Sequence, residues 1–158
     1  MSTYEVAHLN IAITKGAMDS PVMADFAANL ERINALADSS PGFVWRLETE
    51  EGDATAIRLF EHENLLINMS VWRDIESLNE FVYNSDHVGF MRGRKQWFEP
   101  MREAFLVLWW VRKGHRPRIE EAGAKLELLR TQGPSSDAFT FRQTFAPPDT
   151  MPLPVAAH

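Results

Sequence analysis

Asn68 and Trp72 stand four residues apart in Leu65–Trp72 (LLINMSVW). In an extended chain that spacing puts both side chains on one face. Such a pair can face a ligand, or Asn68 can bond a loop backbone while Trp72 packs in the core. His8 and Asn10 share a face of a second apolar run, Glu5–Ile13. His87 follows Ser85-Asp86. Its imidazole suits a general base near neutral pH, acting on a phenol or an activated C–H. The same residue can instead cap a helix or pair with Asp86 or Glu61. His115 sits among Arg112, Lys113, Arg116 and Arg118, a cluster able to hold a carboxylate or phosphate. A solvated loop before the acidic pair Glu120-Glu121 explains that cluster better. His62 and His158 read as surface groups. Arg46 and Arg58 either bind an anionic group or pair with Glu48 and Glu61.

The aromatic residues form a second group. Trp45, Trp97, Trp109 and Trp110, with Phe90, Phe98 and Phe105, are an aromatic load beyond the average. Aromatic walls suit a flat apolar ligand. Core and subunit contact account for them as well, and carry more weight. Adjacent Trp109 and Trp110 point to opposite faces of a strand. The set expected to contact a ligand is Trp45, Arg46, Tyr83, Phe90, Trp97 and Trp110.

Much chemistry is absent from the sequence. There is no Gly-rich phosphate loop, dinucleotide fingerprint, HExxH or nucleophile elbow. Hydride and phosphoryl transfer are therefore disfavoured, and no resident metal is expected. The chain has no cysteine, which removes disulfides, thiolate metal sites and a Cys nucleophile. Lys and Arg number 16 against 22 Asp and Glu, a net charge of -6. That balance opposes general nucleic-acid binding, which needs a basic footprint. No apolar run approaches the ~20 residues of a membrane span. The polar start Met1–Tyr4 does not read as a signal peptide, so a cytoplasmic protein is expected.

These residues must be positioned by a small set of elements. At 158 residues the chain is expected to be one domain. It runs over 1–146, with a loose Pro-rich tail over 147–158. Glu5–Ile13 reads as a strand. Asp19-Ser20-Pro21 opens a helix over Val22–Ala37, whose stripe is Met23, Phe26, Leu30, Ile33 and Leu36. Ser39-Ser40-Pro41-Gly42 stops it. Phe43–Glu50 alternates as a half-buried strand, with Phe43, Trp45 and Leu47 on one side and Val44, Arg46 and Glu48 on the other. Thr55–Phe60 reads as a short strand or an extension, and Leu65–Trp72 as another strand. Asp74 caps a helix with the stripe Ile75, Leu78, Phe81 and Val82. A further helical piece runs from His87 to Phe98. Ala104–Arg112 is a central strand, Ile119–Leu129 a helix stopped at Gly133-Pro134, and Phe139–Phe145 an edge strand.

The order βαββαβ points to an α+β, ferredoxin-like unit with an extra C-terminal helix and edge strand. Its helices cover one sheet face. The other face needs a cover, in part from the last helix and strand, in full from a second copy. A C2 homodimer is the base expectation.

Asn68-Met69-Ser70-Val71-Trp72, followed by Asp74-Ile75-Glu76-Ser77-Leu78, resembles the dimeric α/β-barrel superfamily that includes the antibiotic-biosynthesis monooxygenases. A more extensive resemblance is to the bacterial family catalogued as domain of unknown function 3291. Ser40-Pro41-Gly42-Phe43-Val44-Trp45-Arg46-Leu47, Arg94-Lys95-Gln96-Trp97-Phe98, Leu108-Trp109-Trp110-Val111 and Gly114-His115 carry it. So do Leu9-Asn10-Ile11-Ala12, Phe81-Val82-Tyr83 with Ser85-Asp86-His87, and Gly133-Pro134 with Ala138-Phe139-Thr140-Phe141.

The resemblance implies the dimeric barrel fold. Likeness to the cofactor-free monooxygenases of the superfamily implies that Asn68, assisted by Asn10, polarises a substrate oxygen. Trp72 would hold a flat aromatic or phenolic substrate and His87 would handle the proton, with no cofactor. The haem-binding branch implies an alternative, a haem held by His87 or His8, although that branch places its His further along the helix. A third alternative is a dimer that binds a small apolar or aromatic molecule without turning it over.

Overall fold

The computed structural model describes residues 3–16, 20–47, 65–84 and 104–148. Strand β1 (Tyr4–Ile13) leads through a single 3-10 turn (Pro21–Met23) into helix α1 (Ala24–Ser39). Strands β2 (Phe43–Arg46) and β3 (Leu65–Trp72) follow, then α2 (Ile75–Asn84), β4 (Leu106–Arg112) and α3 (Ile119–Gln132). The sheet order is β2-β3-β1-β4, and every neighbouring pair is antiparallel. β1 and β2 therefore run parallel, as do β3 and β4, with a helix on each crossover. This is the expected α+β, ferredoxin-like arrangement. Thr55–Phe60, the helical piece His87–Phe98 and the end of the tail lie outside the described residues.

Residue alternation fixes which side chains meet on each face. Val6, Trp72, Leu108 and Phe139 join Ile33 and Ala37 of α1 and Leu78 and Phe81 of α2 in one buried cluster. Ala7, Leu9, Met69, Val71, Val107 and Trp109 face the other way and meet Ala122, Leu126 and Leu129 of α3. The sheet thus has α1 and α2 on its near face and α3 on its far face. The stripe read from the sequence is buried as expected at Met23, Phe26 and Ile33. Residues spaced three and four apart on a helix share the side that meets the sheet.

Polar bonds tie α3 down near both ends. Trp109 Nε1 donates to Glu121 Oε2 at 2.8 Å, and His115 Nε2 lies 2.7 Å from Glu121 Oε1. Arg130 Nε donates to the Ala104 carbonyl at 2.8 Å. One carboxylate thus joins the basic loop to a core indole.

Helix α2 starts as its sequence indicates. Asp74 Oδ1 accepts the Ser77 backbone N–H at 2.8 Å, which satisfies one donor of the first turn. Gly42 closes the preceding loop, with its carbonyl accepting the Arg73 N–H at 2.7 Å. Its φ of 84° lies in the left-handed region, and an added Cβ would run into the Ser77 side chain. Both constraints require glycine there.

Besides Ala104–Arg112, read as a central strand but standing as β4 at the end of the sheet order next to β1, two elements differ from the sequence reading. A register shift between Phe43 and Trp45 interrupts β2: Phe43 pairs with Trp72, Trp45 with Val71 and Arg46 with Ser70. The extra residue breaks the period of two. Phe43 and Arg46 consequently share the near face, and Trp45 turns with Val44 and Leu47 to the far-face cluster. The second difference is at Phe139–Phe145, which is not a regular edge strand. Phe139 exchanges both backbone bonds with Leu108 at 2.8 Å, within its own chain. The Gln143 N–H then bonds the Thr140 carbonyl and closes a turn. The ladder thus ends at Phe139, and the turn sends Phe141 and Phe145 inward against His8 and Phe139.

No described helix is long and apolar enough to cross a membrane. Among the described residues no group of three or more His, Asp or Glu could hold a metal ion.

Candidate functional site

A pocket of about 410 Å³ opens between the near sheet face and helices α1 and α2. That volume is within the range of small-molecule sites, roughly 300–1,000 Å³. Its floor is built from three cross-strand rows. In the first, Asn68 of β3 stands opposite Asn10 of β1. In the second, Arg46 of β2 stands opposite Ser70, and Ser70 opposite His8. In the third, Phe43 stands opposite Trp72, and Trp72 opposite Val6. Directly opposed residues of an antiparallel pair have Cβ atoms about 5 Å apart, so each row is a line of neighbours.

The rows grade from polar to aromatic. Successive same-face rows lie roughly 7 Å apart along the strands. The aromatic end holds Trp72, stacked on Phe81 at 5.2 Å and 27° and met edge-on by Phe43 at 5.4 Å and 85°. Trp72 is only 1% exposed, so it is a structural wall as well as a pocket surface. Its indole Nε1 donates to Ser70 Oγ at 2.9 Å. The middle row is nearly enclosed, with His8 and Ser70 each 7% exposed. Arg46 is held from behind: its Nε and Nη2 donate to Asp38 of α1 at 3.2 and 3.0 Å. This two-point contact fixes the plane of the guanidinium.

The C-terminal segment completes the pocket. The Phe141 ring lies 6.2 Å from that of His8 and meets Tyr83 edge-on at 5.6 Å. Tyr83, half exposed at the end of α2, stands at the rim. The turn after Phe139 carries Phe141 here, and Trp110 Nε1 anchors it by donating to the Phe145 carbonyl at 2.9 Å.

Of the residues singled out in the sequence, Asn10, Asn68, Trp72, Arg46, Tyr83, His8 and Phe105 line this one pocket. Trp45 does not, because the β2 irregularity turns it to the far face. Trp110 lies on the near face but packs against Phe139, 6.2 Å between centroids, outside the lining. His87, Phe90 and Trp97 lie outside the described residues. Sequence reasoning passed over Ser70, Asn34 and Phe141. Ser70 was within reach, because the period that pairs Asn68 with Trp72 puts Ser70 between them on the same face. Phe141 depends on a turn that its alternating neighbourhood conceals.

Beside the site, the pKa of Asp74 is shifted. Burial pushes its carboxyl up. The hydrogen bonds from the Ser77 side chain and backbone, with the adjacent Arg73 guanidinium, outweigh that and hold it below the usual value.

The model of a family described as Domain of unknown function (DUF3291) matches residues 5–153. Among solved structures, SnoaB, a cofactor-independent oxygenase from Streptomyces nogalater, is similar at 19% identity and a TM-score of 0.47. The match covers 74% of this chain and 98% of that one. PA3566 from Pseudomonas aeruginosa is similar at 15% identity and a TM-score of 0.48, over 73% of this chain and 98% of that one. MupZ from Pseudomonas fluorescens is similar at 14% identity and a TM-score of 0.43, over 96% and 95%. No curated protein matches.

Proposed function

We propose, from the premise that the chain belongs to the DUF3291 family, that its pocket binds a flat aromatic or phenolic molecule and oxidises it with dioxygen, without a resident cofactor. The observation that carries this reading is the register pairing of Asn10 with Asn68 beside the nearly enclosed His8, on a floor that ends in Trp72. Two carboxamides side by side can donate to one developing oxyanion. The aromatic end positions the ring. The Asn-x-x-x-Trp resemblance to cofactor-free monooxygenases adds to this reading.

The chemistry needs no other redox partner. A methylene held between two aryl rings and conjugated through them to a ketone loses a proton to the His8 imidazole. Asn10 and Asn68 hold the resulting enolate oxygen. The carbanion's electrons reduce dioxygen, a C–O bond forms, and the O–O bond breaks with loss of the second C–H proton. The products are a ketone and one water. His8 takes the proton role that the resemblance gives to His87, because among the described residues His8 is the imidazole that lines the pocket.

The test is oxygen uptake by the purified protein with anthrone as probe, above the rate without protein. Stoichiometric consumption of dioxygen with quinone formation is expected. No protein-dependent uptake with anthrone or a phenol panel would overturn the enzymatic reading.

The proposal includes a second copy of the chain. Trp45, Leu47 and Ile67 are only half-buried beside the far-face cluster, whereas α3 packs against β4. Sedimentation at micromolar concentration is expected to give a dimer, and a monomer would contradict this part.

A further inference from the structure

We infer that the ligand of this pocket is an aromatic ring bearing an anionic oxygen, held by Arg46, Ser70 and His8 across the middle row while the ring lies against Phe43, Trp72 and Phe81. This deepens the proposed function and rests on its reading of the pocket as a ligand site.

Three observations carry the inference. First, the chain has a net charge of -6, yet among the described residues no Asp or Glu lines the pocket. The charged residue in the described lining is Arg46. Among the described lining residues an anion therefore meets a counter-charge in Arg46, whereas a cation meets no carboxylate.

Second, Arg46 is positioned rather than loose. Asp38 holds it by two bonds from outside the lining, and the β2 irregularity turns it into the row of Ser70 and His8. Had the strand alternated regularly from Phe43, Arg46 would have faced away from Phe43 and out of the pocket. The local break in the strand thus puts a guanidinium on the aromatic floor.

Third, Ser70 is set up to donate. Trp72 Nε1 already donates to its oxygen. A hydroxyl that accepts one bond still carries its own proton, and accepting strengthens what it gives. Ser70 and His8 are both nearly enclosed. An oxygen reaching them leaves water behind, so charge-assisted donors are what make its burial favourable.

The geometry also sets the ligand's shape. The middle row lies roughly 7 Å from the aromatic row. A carboxylate or acidic phenol attached directly to a fused ring spans that step.

The experiment is calorimetric titration with three probes of one shape: 2-naphthoate, 2-naphthamide and 2-naphthylmethylammonium. Wild type is expected to bind naphthoate about ten-fold tighter than the amide, with the cation weakest. Arg46→Gln should weaken naphthoate far more than the amide and so bring the two close together, and Arg46→Lys should restore part of the difference. Equal affinity for naphthoate and naphthamide in wild type would overturn the inference and leave the pocket reading intact. An Arg46→Gln variant that weakens both probes equally would also overturn it. Failure of all three probes to bind saturably would overturn the inference together with the pocket reading.

Discussion

Asn10 on β1 and Asn68 on β3 are direct register partners in the antiparallel ladder, and both line the same pocket. Neither residue reaches the other through local sequence. Their meeting depends on β1 running through the centre of the sheet, with β3 on one side and β4 on the other. A shift of one residue in that register would turn one carboxamide to the far face. The same ladder sets His8 against Ser70 and Val6 against Trp72. The polar-to-aromatic grade of the floor is therefore a property of one strand pairing.

The two members of the Asn68/Trp72 pair differ in what their removal would measure. Trp72 is wholly buried among Phe43, Phe81 and the helices. Its replacement by Ala would cost about 3–5 kcal/mol, a large part of a typical domain's stability. Loss of activity in that variant would say little about chemistry. Asn68 is exposed to the pocket, so its truncation leaves the core intact.

Gly42→Ala is expected to destabilise the protein by about 1–3 kcal/mol. The φ of 84° disfavours any side chain, and the new Cβ would collide with Ser77 at the start of α2. Urea unfolding followed by circular dichroism would show a lower midpoint at unchanged slope. An unchanged midpoint would refute the tight approach between this loop and α2.

Asp74 links stability to pH. Its folded pKa is lowered, so its contribution is present above the unfolded value near 3.9 and is lost as pH falls through the folded one. Asp74→Asn keeps an acceptable cap, and the exposed Arg73 contact it gives up is worth little. This variant should match wild type closely at pH 7 and lose less stability on acidification below about pH 5. Asp74→Ala should cost about 1 kcal/mol at pH 7 through the lost cap. Thermal melts across pH check both, and an identical acid limb in Asp74→Asn and wild type would count against the linkage.

Haem titration is expected to give no saturable, shifted Soret band. The cofactor-free account gives His8 a proton to carry rather than an iron to bind. A shifted band that disappears in His8→Gln would replace that account with a haem protein on the same scaffold.

Some of this was readable in the sequence, for physical reasons specific to each element. β3 declares itself by β-branched alternation, and α2 by Asp74 followed by a clear apolar stripe. The stripe of α1 was read correctly because Met23, Phe26 and Ile33 all bury against the sheet. The face of Trp45 was misread because one extra residue between Phe43 and Trp45 breaks the alternation, and nothing in FVWR marks it. Phe139–Phe145 alternates like a strand, yet after Phe139 pairs with Leu108 the chain turns, and Phe141 and Phe145 pack against His8 and Phe139. Within the site, Asn68, Asn10 and His8 could be named one by one from period-two spacing. Their assembly into rows required the register, which is a tertiary fact.

The central claim is that the Asn10–Asn68 pair stabilises an oxyanion during oxidation, and one comparison tests it most directly. Oxygen uptake with anthrone would be measured for wild type, Asn68→Ala and Asn10→Ala, with unfolding midpoints recorded for all three. Each variant should lose about 100-fold in turnover at nearly unchanged stability, and the double variant should lose less than the product of the two. Turnover in Asn68→Ala equal to wild type would contradict the account.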